Sequence, residues 1–197
     1  MLRVAGLEVL AFPSARDFLE AAEAQTVSCI VSDLRMPEVS GLDLQQTLSA
    51  SLPHLSMVFI TGHNDVPASV TAMKAGAVDF LEKPVKRNDL LEAIDRAVTR
   101  TRNLRAANFR LQELKARYET LTPRERQVLA LVTAGLLNKQ IAVELGAAEK
   151  TIKQHRGRMM DKMSAESLAD VVIMAERLGV RPRDTDFSRA KGRFRPR

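Results

Sequence analysis

Residues 27–33 read VSCIVSD, a run of small, apolar and β-branched residues that ends on a carboxylate. A run this short favours a strand over a helix, and its nearly continuous apolar character is typical of a strand buried on both faces. We therefore predict a buried strand at residues 27–32, with Asp33 at its carboxyl end. Strands of this kind belong to parallel sheets that helices cover on both sides.

The rest of the first hundred residues repeats this alternation of strand and helix patterns. Helices are predicted at residues 14–24, 42–49 and 66–75, and further strands at residues 8–12, 57–61 and 77–81. Ser14 is a suitable cap for the first of these helices. The repeated β-α order predicts an α/β domain built on a parallel sheet.

Three polar side chains come at or just after the ends of three of these strands, and they are Asp33, Thr61 and Lys83. The carboxyl ends of parallel strands meet at one edge of a sheet, so we expect the three to lie close together. The set suits phosphoryl transfer to a carboxylate: Asp33 attacks, Lys83 neutralises phosphoryl oxygens and Thr61 hydrogen-bonds one of them. The alternative is a phosphatase with Asp33 as nucleophile. Haloacid-dehalogenase-type phosphatases carry a second Asp where this chain has Arg35, so an enzyme is not predicted.

The surrounding residues resemble the receiver domain of bacterial two-component response regulators, most closely the FixJ type. The matching stretches are residues 31–37, Gly41, residues 60–63 and residues 73–84, within a region of roughly residues 5–100. The resemblance implies that Asp33 is the phosphoacceptor and that Thr61, Phe80 and Lys83 sense the phosphoryl group. It also implies a cis Lys83–Pro84 bond and a sensor histidine kinase as partner.

Receivers begin with a strand that ends in paired acidic residues, and this sequence starts near the end of the helix that follows that strand. The resemblance therefore implies an N-terminally incomplete flavodoxin-like receiver of four strands, with one face poorly covered. In the family the acidic pair holds Mg²⁺. Asp33 is left as the remaining carboxylate, so the Mg²⁺ site is expected to be incomplete. A phosphorylated switch and a phosphorylation-independent regulator with a degenerate receiver both stay open.

Composition adds a compartment and a partner. One cysteine in 197 residues suits a reducing compartment, and no apolar run approaches the length of a membrane span, so a cytoplasmic protein without membrane contact is predicted. Residues 1–100 carry 9 Lys and Arg against 13 Asp and Glu, whereas residues 101–197 carry 21 against 11. The acidic front and basic back predict two modules, the second with a polyanionic partner.

Residues 88–118 show a continuous helical pattern with apolar residues at alternating steps of four and three. Two readings stay open: a dimerising coiled coil, or a last receiver helix at the end of a domain at residues 1–100, followed by a helical linker at residues 101–120. Residues 181–197 carry 7 Lys and Arg against 2 Asp and Glu, with two prolines, and are expected to be a disordered basic tail.

Residues 121–180 predict four short helices and no strand. Thr122-Pro123-Arg124-Glu125 is typical of a capped helix start, Asn138 is expected to cap the second helix, and the third begins near Glu149 after Ala148, a residue that cannot cap through its side chain. The pattern resembles the LuxR-type helix-turn-helix, which implies an all-α four-helix domain that binds double-stranded DNA.

The third helix carries its apolar residues on one side and basic residues on the other. The predicted DNA-binding residues are Asn138, Lys139, Lys150, Thr151, Lys153, Gln154 and Arg158. In the last helix, the predicted inner stripe is Leu168, Val171, Val172, Ala175 and Leu178. The resemblance assigns homodimer contacts to this helix, and Val171 and Ile173 are expected to make them. The sequence thus predicts a transcriptional regulator in which phosphorylation of Asp33 controls dimerisation and DNA binding.

Overall fold

The structure is a computed structural model that describes residues 2–21, 26–36, 38–62 and 66–180. The chain divides into two compact units, Met1–Ala107 and Asn108–Arg197. The predicted basic tail at residues 181–197 lies outside the described residues.

The first unit alternates helices and strands as predicted. Its elements are a 3-10 turn at Arg3–Ala5, α1 at Ala15–Glu20, β1 at Cys29–Asp33, α2 at Gly41–Ser51, β2 at Ser56–Thr61, α3 at Val66–Lys74, β3 at Asp79–Glu82 and the start of α4, which spans Arg87–Glu119. The strands pair in parallel, with Asp33 beside Ile60 and Thr61 beside Glu82. The flavodoxin-like α/β class is confirmed.

The predicted strand at residues 8–12 is wrong. Residues 7–12 form no regular element, and across the part of the chain that the structure describes the sheet has three strands, in the order β1-β2-β3, rather than four. The reason is that Leu10 is 47% exposed, whereas Phe12 packs edge-on against Phe18, with ring centroids 5.3 Å apart. The segment therefore contributes an apolar side chain to the core without forming regular secondary structure.

Burial of β2 on both faces organises the unit. Met57 and Phe59 point to one face, where they pack among side chains of α1, α2 and α3. Val58 points to the other face, against Ala93 and Ala97 of α4. The two alanines present small side chains to Val58 on that face. All five side chains are at most 3% exposed.

Gly41 allows α2 to begin directly behind β1. A Cβ at this position would stand 2.5 Å from the Asp33 carbonyl oxygen and 2.8 Å from a ring carbon of Phe59. The helix start is secured by a capping box, in which Ser40 and Asp43 each bond the other's backbone amide. Glycine is thus required by close approach rather than by its dihedral angles.

The second unit has the four predicted helices. They are α5 at Pro123–Thr133, α6 at Asn138–Leu145, α7 at Glu149–Met163 and α8 at Leu168–Leu178. Their core includes Leu129, Ile141, Ile152 and Met159, each fully buried. The capping boxes at Thr122 and Ser167 are present.

Two details of the second unit differ from expectation. Asn138 is the first residue of α6 and does not cap it, because Leu137 takes the cap position and its amide donates to Gln140 Oε1 at 2.8 Å. In α8, Leu168 and Val172 are each 41% exposed and so lie outside the predicted inner stripe. Val171 and Ala175 are the two residues of that helix that are at most 1% exposed. A short helix packed against a small bundle buries a narrow stripe of its surface.

The pattern at residues 88–118 is confirmed as one continuous helix, α4. The first residues of its apolar seam, Leu90, Ile94, Ala97 and Thr101, are at most 7% exposed within the first unit. Thr101 Oγ1 accepts a hydrogen bond from the Ser56 amide at 3.1 Å. This stretch of α4 therefore packs within the first unit, as expected for the last helix of a receiver.

Replacing Gly41 by Ala is expected to destabilise the first unit by about 1–3 kcal/mol, because an added methyl group overlaps the Asp33 carbonyl and the Phe59 ring. Hydrogen–deuterium exchange of peptides covering β1 and α2 measures the loss of protection. Gly62→Ala is the control, since a Cβ there meets nothing within 4 Å. Equal protection in the two variants would contradict the close-approach argument.

Candidate functional sites

The carboxyl edge of the sheet brings two of the predicted residues into direct contact. The Lys83 ammonium group donates to Asp33 Oδ2, and the two side chains are 52% and 34% exposed. The other carboxylate oxygen of Asp33 accepts from the Arg35 amide at 3.1 Å. The peptide bond between Lys83 and Pro84 is cis, as expected. A reachable carboxylate therefore lies beside a cation.

The electrostatics of this pair keep the carboxylate charged. Partial burial disfavours ionisation of Asp33, but hydrogen bonds from Lys83 and from the Arg35 amide, with the charge of Lys83, hold its pKa below the ordinary value of 3.8. An ionised carboxylate is the form that attacks phosphorus. At neutral pH Asp33 is thus in its nucleophilic form.

Thr61 and Phe80 occupy different surroundings. Thr61 is 3% exposed, and its hydroxyl donates to the neighbouring Gly62 carbonyl at 3.2 Å. Phe80 is 42% exposed on β3. The backbone joins the ends of β2 and β3, because the Lys83 amide donates to the Thr61 carbonyl at 2.9 Å. The predicted carboxyl edge of the sheet is therefore present, and the Thr61 hydroxyl bonds the backbone beside it.

In the second unit, α7 separates a buried face from an exposed one. Ile152, Met159 and Met163 are fully buried, as predicted from their spacing. The exposed face includes Lys150, Thr151, Lys153, Gln154, Gly157 and Arg158. A Cβ on Gly157 would meet nothing within 4 Å, so the backbone itself is open to the surroundings there. Of the basic residues, Lys153 pairs with Glu149 at 3.5 Å.

The start of α6 lies close to α7. Arg156 of α7 donates to Asn138 Oδ1 at 3.2 Å, which holds the carboxamide at the first turn of α6. Lys139, next in the chain, is exposed. Sequence reasoning placed Asn138 and Lys139 here and missed Arg156, which lies 18 residues away.

An ion pair between the buried Glu125 and the half-buried Lys162 ties the far end of α7 to the start of α5. Glu125 is 2% exposed, and its Oε2 accepts from Lys162 Nζ at 2.7 Å and from the Thr122 amide at 2.9 Å. Lys162 also donates to the Thr120 carbonyl at 3.1 Å. Burial disfavours the Glu125 charge, but the bonds from Lys162 and Thr122 outweigh it and lower the pKa. The capping-box pattern revealed Glu125; nothing local revealed Lys162.

One predicted dimer residue is wrong. Val171 is fully buried in the core of its own unit, so it has no surface to offer a second chain. Ile173 is 48% exposed and remains available, and Val172 is exposed beside it.

Comparison with known proteins identifies a family for each of the two units. Residues 1–95 match the family described as "Response regulator receiver domain", and residues 119–175 match "Bacterial regulatory proteins, luxR family". Nodulation protein W of Bradyrhizobium diazoefficiens is 48% identical over 186 residues, which are 94% of this chain and 82% of the relative. This chain belongs to the response regulators of the LuxR type.

Other relatives have the same architecture as this response regulator. Transcriptional regulatory protein FixJ of Rhizobium meliloti is 43% identical over 175 residues, which are 89% of this chain and 86% of that protein. The low-resolution structure of response regulator StyR has 45% identity and a TM-score of 0.78, and the match covers 89% of each chain. Because a receiver domain is joined to a DNA-binding domain, this response regulator is a regulatory protein. The phosphatase alternative is rejected.

Receiver domains generally bind Mg²⁺ for phosphorylation. In the described residues of this response regulator, no group of three His, Cys, Asp or Glu side chains is placed to hold a metal ion. Asp33 is engaged by Lys83, and a single shared carboxylate is a poor site for Mg²⁺. The residues described do not fit the metal.

None of the helices in the described ranges combines the length and the apolar character needed to cross a membrane.

The Glu125–Lys162 pair predicts a pH dependence of stability. Because the folded-state pKa of Glu125 lies below its ordinary value of 4.5, the stabilisation is complete above that pH and is lost as pH falls through the folded pKa. We expect Glu125→Gln to lower the free energy of unfolding at pH 7 by about 1–3 kcal/mol and to flatten its fall in acid. Tyr118, the one tyrosine of the chain, packs against this unit and reports its unfolding by fluorescence. If the free energy of unfolding fell identically in acid in both proteins, the assignment of this pH dependence to Glu125 would be refuted.

Proposed function

We propose that phosphorylation of Asp33 by a sensor histidine kinase switches this response regulator between states that differ in dimerisation and DNA binding. The observation that carries the proposal is the ionised, exposed Asp33 carboxylate beside Lys83 at the carboxyl edge of the sheet. The receiver is assigned to residues 1–100, the helical linker to residues 101–120 and the DNA-binding domain to residues 121–180.

The chemistry needs a carboxylate oxygen of Asp33 to attack the phosphorus of a phosphohistidine. The new bond is oxygen to phosphorus, and the bond that breaks is phosphorus to the histidine nitrogen. Lys83 then exchanges a carboxylate partner for phosphoryl oxygens, which carry more negative charge. The hydroxyl of Thr61 leaves the Gly62 carbonyl to bond another phosphoryl oxygen, and the exposed Phe80 ring moves with it. These steps alter the surface around β3.

The exposed face of α7 suits the major groove of DNA. Lys150, Lys153 and Arg158 supply positive charge for phosphates, and Thr151 and Gln154 are the side chains placed to reach base edges. Gly157 lets the helix backbone approach the duplex. Asn138 and Lys139, at the first turn of α6, are assigned to a neighbouring phosphate.

Two copies of the chain fit this scheme better than one. A two-fold dimer presents two recognition helices to paired half-sites. Ile173 on α8, 48% exposed, is assigned to the contact, with Val172 in place of Val171. The protein is assigned to the cytoplasm, where a single Cys29 stays reduced, and burial raises the pKa of that thiol to about 12, so it is unreactive.

A second version of the function is DNA binding that does not depend on phosphorylation. The observation that favours it is the lack of fit between the described residues and Mg²⁺. An experiment that measures phosphorylation and DNA binding together separates the two versions.

Acetyl phosphate, with and without Mg²⁺, tests the switch. We expect intact mass spectrometry to show one added phosphoryl group, and mobility-shift assays to show tighter binding to DNA that the protein selects from a random-sequence pool. Asp33→Asn should abolish both effects, and Asp95→Asn, an exposed carboxylate on α4, should abolish neither. Tight DNA binding without any mass gain would replace the switch by the phosphorylation-independent version.

Gly157→Ala separates stability from recognition. Alanine in a helix interior is favoured over glycine by about 0.5–1 kcal/mol, so the variant should unfold at a higher temperature. Its methyl group stands between α7 and the groove, so its affinity for the selected DNA should fall. The slope of log affinity against log salt should stay unchanged, whereas Lys150→Ala should reduce that slope by about 1. Wild-type affinity in Gly157→Ala would remove α7 from the groove.

A further inference from the structure

Arg156 is a half-buried cation of α7 that has no role in the phosphorylation chemistry or on the groove-facing surface. It lies between the buried face of α7, which contains Ile152 and Met159, and the exposed face that is assigned to DNA. No carboxylate among the described residues forms an ion pair with its guanidinium. Its Nη1 instead donates to the Asn138 side chain at 3.2 Å. The partner of this charge within the described chain is therefore a neutral carboxamide.

The bond from Arg156 fixes which way the Asn138 carboxamide is turned. A guanidinium has N–H donors and no acceptor, so the atom that it contacts is the amide oxygen, Oδ1. The amide nitrogen, Nδ2, is then the free end. Within the part of the chain that the structure describes, Nδ2 donates to no protein acceptor, and it is not one of the side-chain atoms that are buried without a partner. Asn138 therefore offers an N–H donor to its surroundings at the first turn of α6.

The orientation of this amide decides whether it suits the backbone of DNA. A phosphate oxygen accepts hydrogen bonds and has none to give, so it attracts Nδ2 and repels Oδ1. A carboxamide that rotates freely presents either end. Because the bond from Arg156 engages Oδ1, the end that a phosphate repels is already occupied. The same bond holds the side chain in place before DNA arrives, which lowers the entropy lost on binding.

We propose that Arg156 is a positioning residue for DNA binding, which holds the Asn138 amide nitrogen toward a backbone phosphate. This role rests on the proposed assignment of Asn138 and Lys139 to that phosphate, and it adds a residue of α7 that acts through Asn138 without touching DNA. The helix that enters the groove thus orders a backbone contact that the preceding helix makes.

Arg124 allows positioning to be separated from general support of α6. It is also half-buried, and its Nη2 donates to the Leu145 carbonyl at 2.6 Å, at the other end of α6. No DNA contact is assigned to Arg124. Apolar packing in the core of the unit joins the two helices, since Ile141 of α6 and Ile152 of α7 are fully buried there. Arg124→Met is therefore the matched control for Arg156→Met.

The test measures the affinity of the full chain for the DNA that it selects from a random-sequence pool, over a range of salt concentrations. Arg156→Met removes every donor, and we expect about tenfold weaker binding because the carboxamide is no longer oriented. The slope of log affinity against log salt should stay unchanged, whereas Lys139→Ala should reduce it by about 1. Arg156→Lys, which donates to Oδ1 through its ammonium group, should restore affinity to within about threefold of the wild type.

Variants of Asn138 test whether Arg156 acts through it. In an Asn138→Ala background, Arg156→Met should weaken binding by less than about twofold, because no amide is left to orient. Asn138→Asp should raise the melting temperature, because a carboxylate accepts from a guanidinium more strongly than an amide does. Its second oxygen repels the phosphate, so its affinity for DNA should fall below that of Asn138→Ala.

Three results would overturn the positioning role while DNA binding by the wild type stands. They are additive losses of affinity from Arg156→Met and Asn138→Ala, a salt slope reduced by about 1 in Arg156→Met, and an equal loss of affinity in Arg124→Met. The second result would make Arg156 a direct phosphate contact, and the third would make it a structural support of α6. A wild-type chain that binds no DNA would instead overturn the proposed function, and the positioning role with it.

Discussion

Burial of β2 on both faces is the constraint from which the receiver unit is built. Because Phe59 faces α1 and α2 while Val58 faces α4, each neighbouring element must approach the same strand from its own side. Gly41 permits the approach behind β1, where a side chain would overlap the Asp33 carbonyl, and the small Ala93 and Ala97 of α4 face Val58 on the other side. The ends of β1, β2 and β3 are thereby aligned, and Asp33 meets Lys83 across that edge.

The sequence predicted well those elements whose cause is local. The strand at β2, the capping box at Thr122 and the two faces of α7 each follow from spacing within a few residues. The strand at residues 8–12 failed because a strand also needs a partner, and pairing is decided elsewhere in the chain. Val171 failed as a dimer contact because it belongs to the inner stripe that helical spacing predicted, and the bundle buries it there.

The candidate sites divide in the same way. Asp33 and Lys83 were predictable since parallel topology brings strand ends together, and the exposed residues of α7 were predictable from its periodicity. The pairs Glu125–Lys162 and Asn138–Arg156 span 37 and 18 residues, so they depend on how helices pack.

The two ends of α7 differ in how they are held. At the far end, Lys162 joins a buried carboxylate and Ser164 closes the helix in a left-handed conformation with φ of 53°. At the near end, Ala148 provides no side-chain acceptor for the first-turn amides. Without a side-chain cap on those amides, local opening there costs less than at the anchored end. α7 is thus anchored to the core at its carboxyl-terminal end and more compliant at its amino-terminal end.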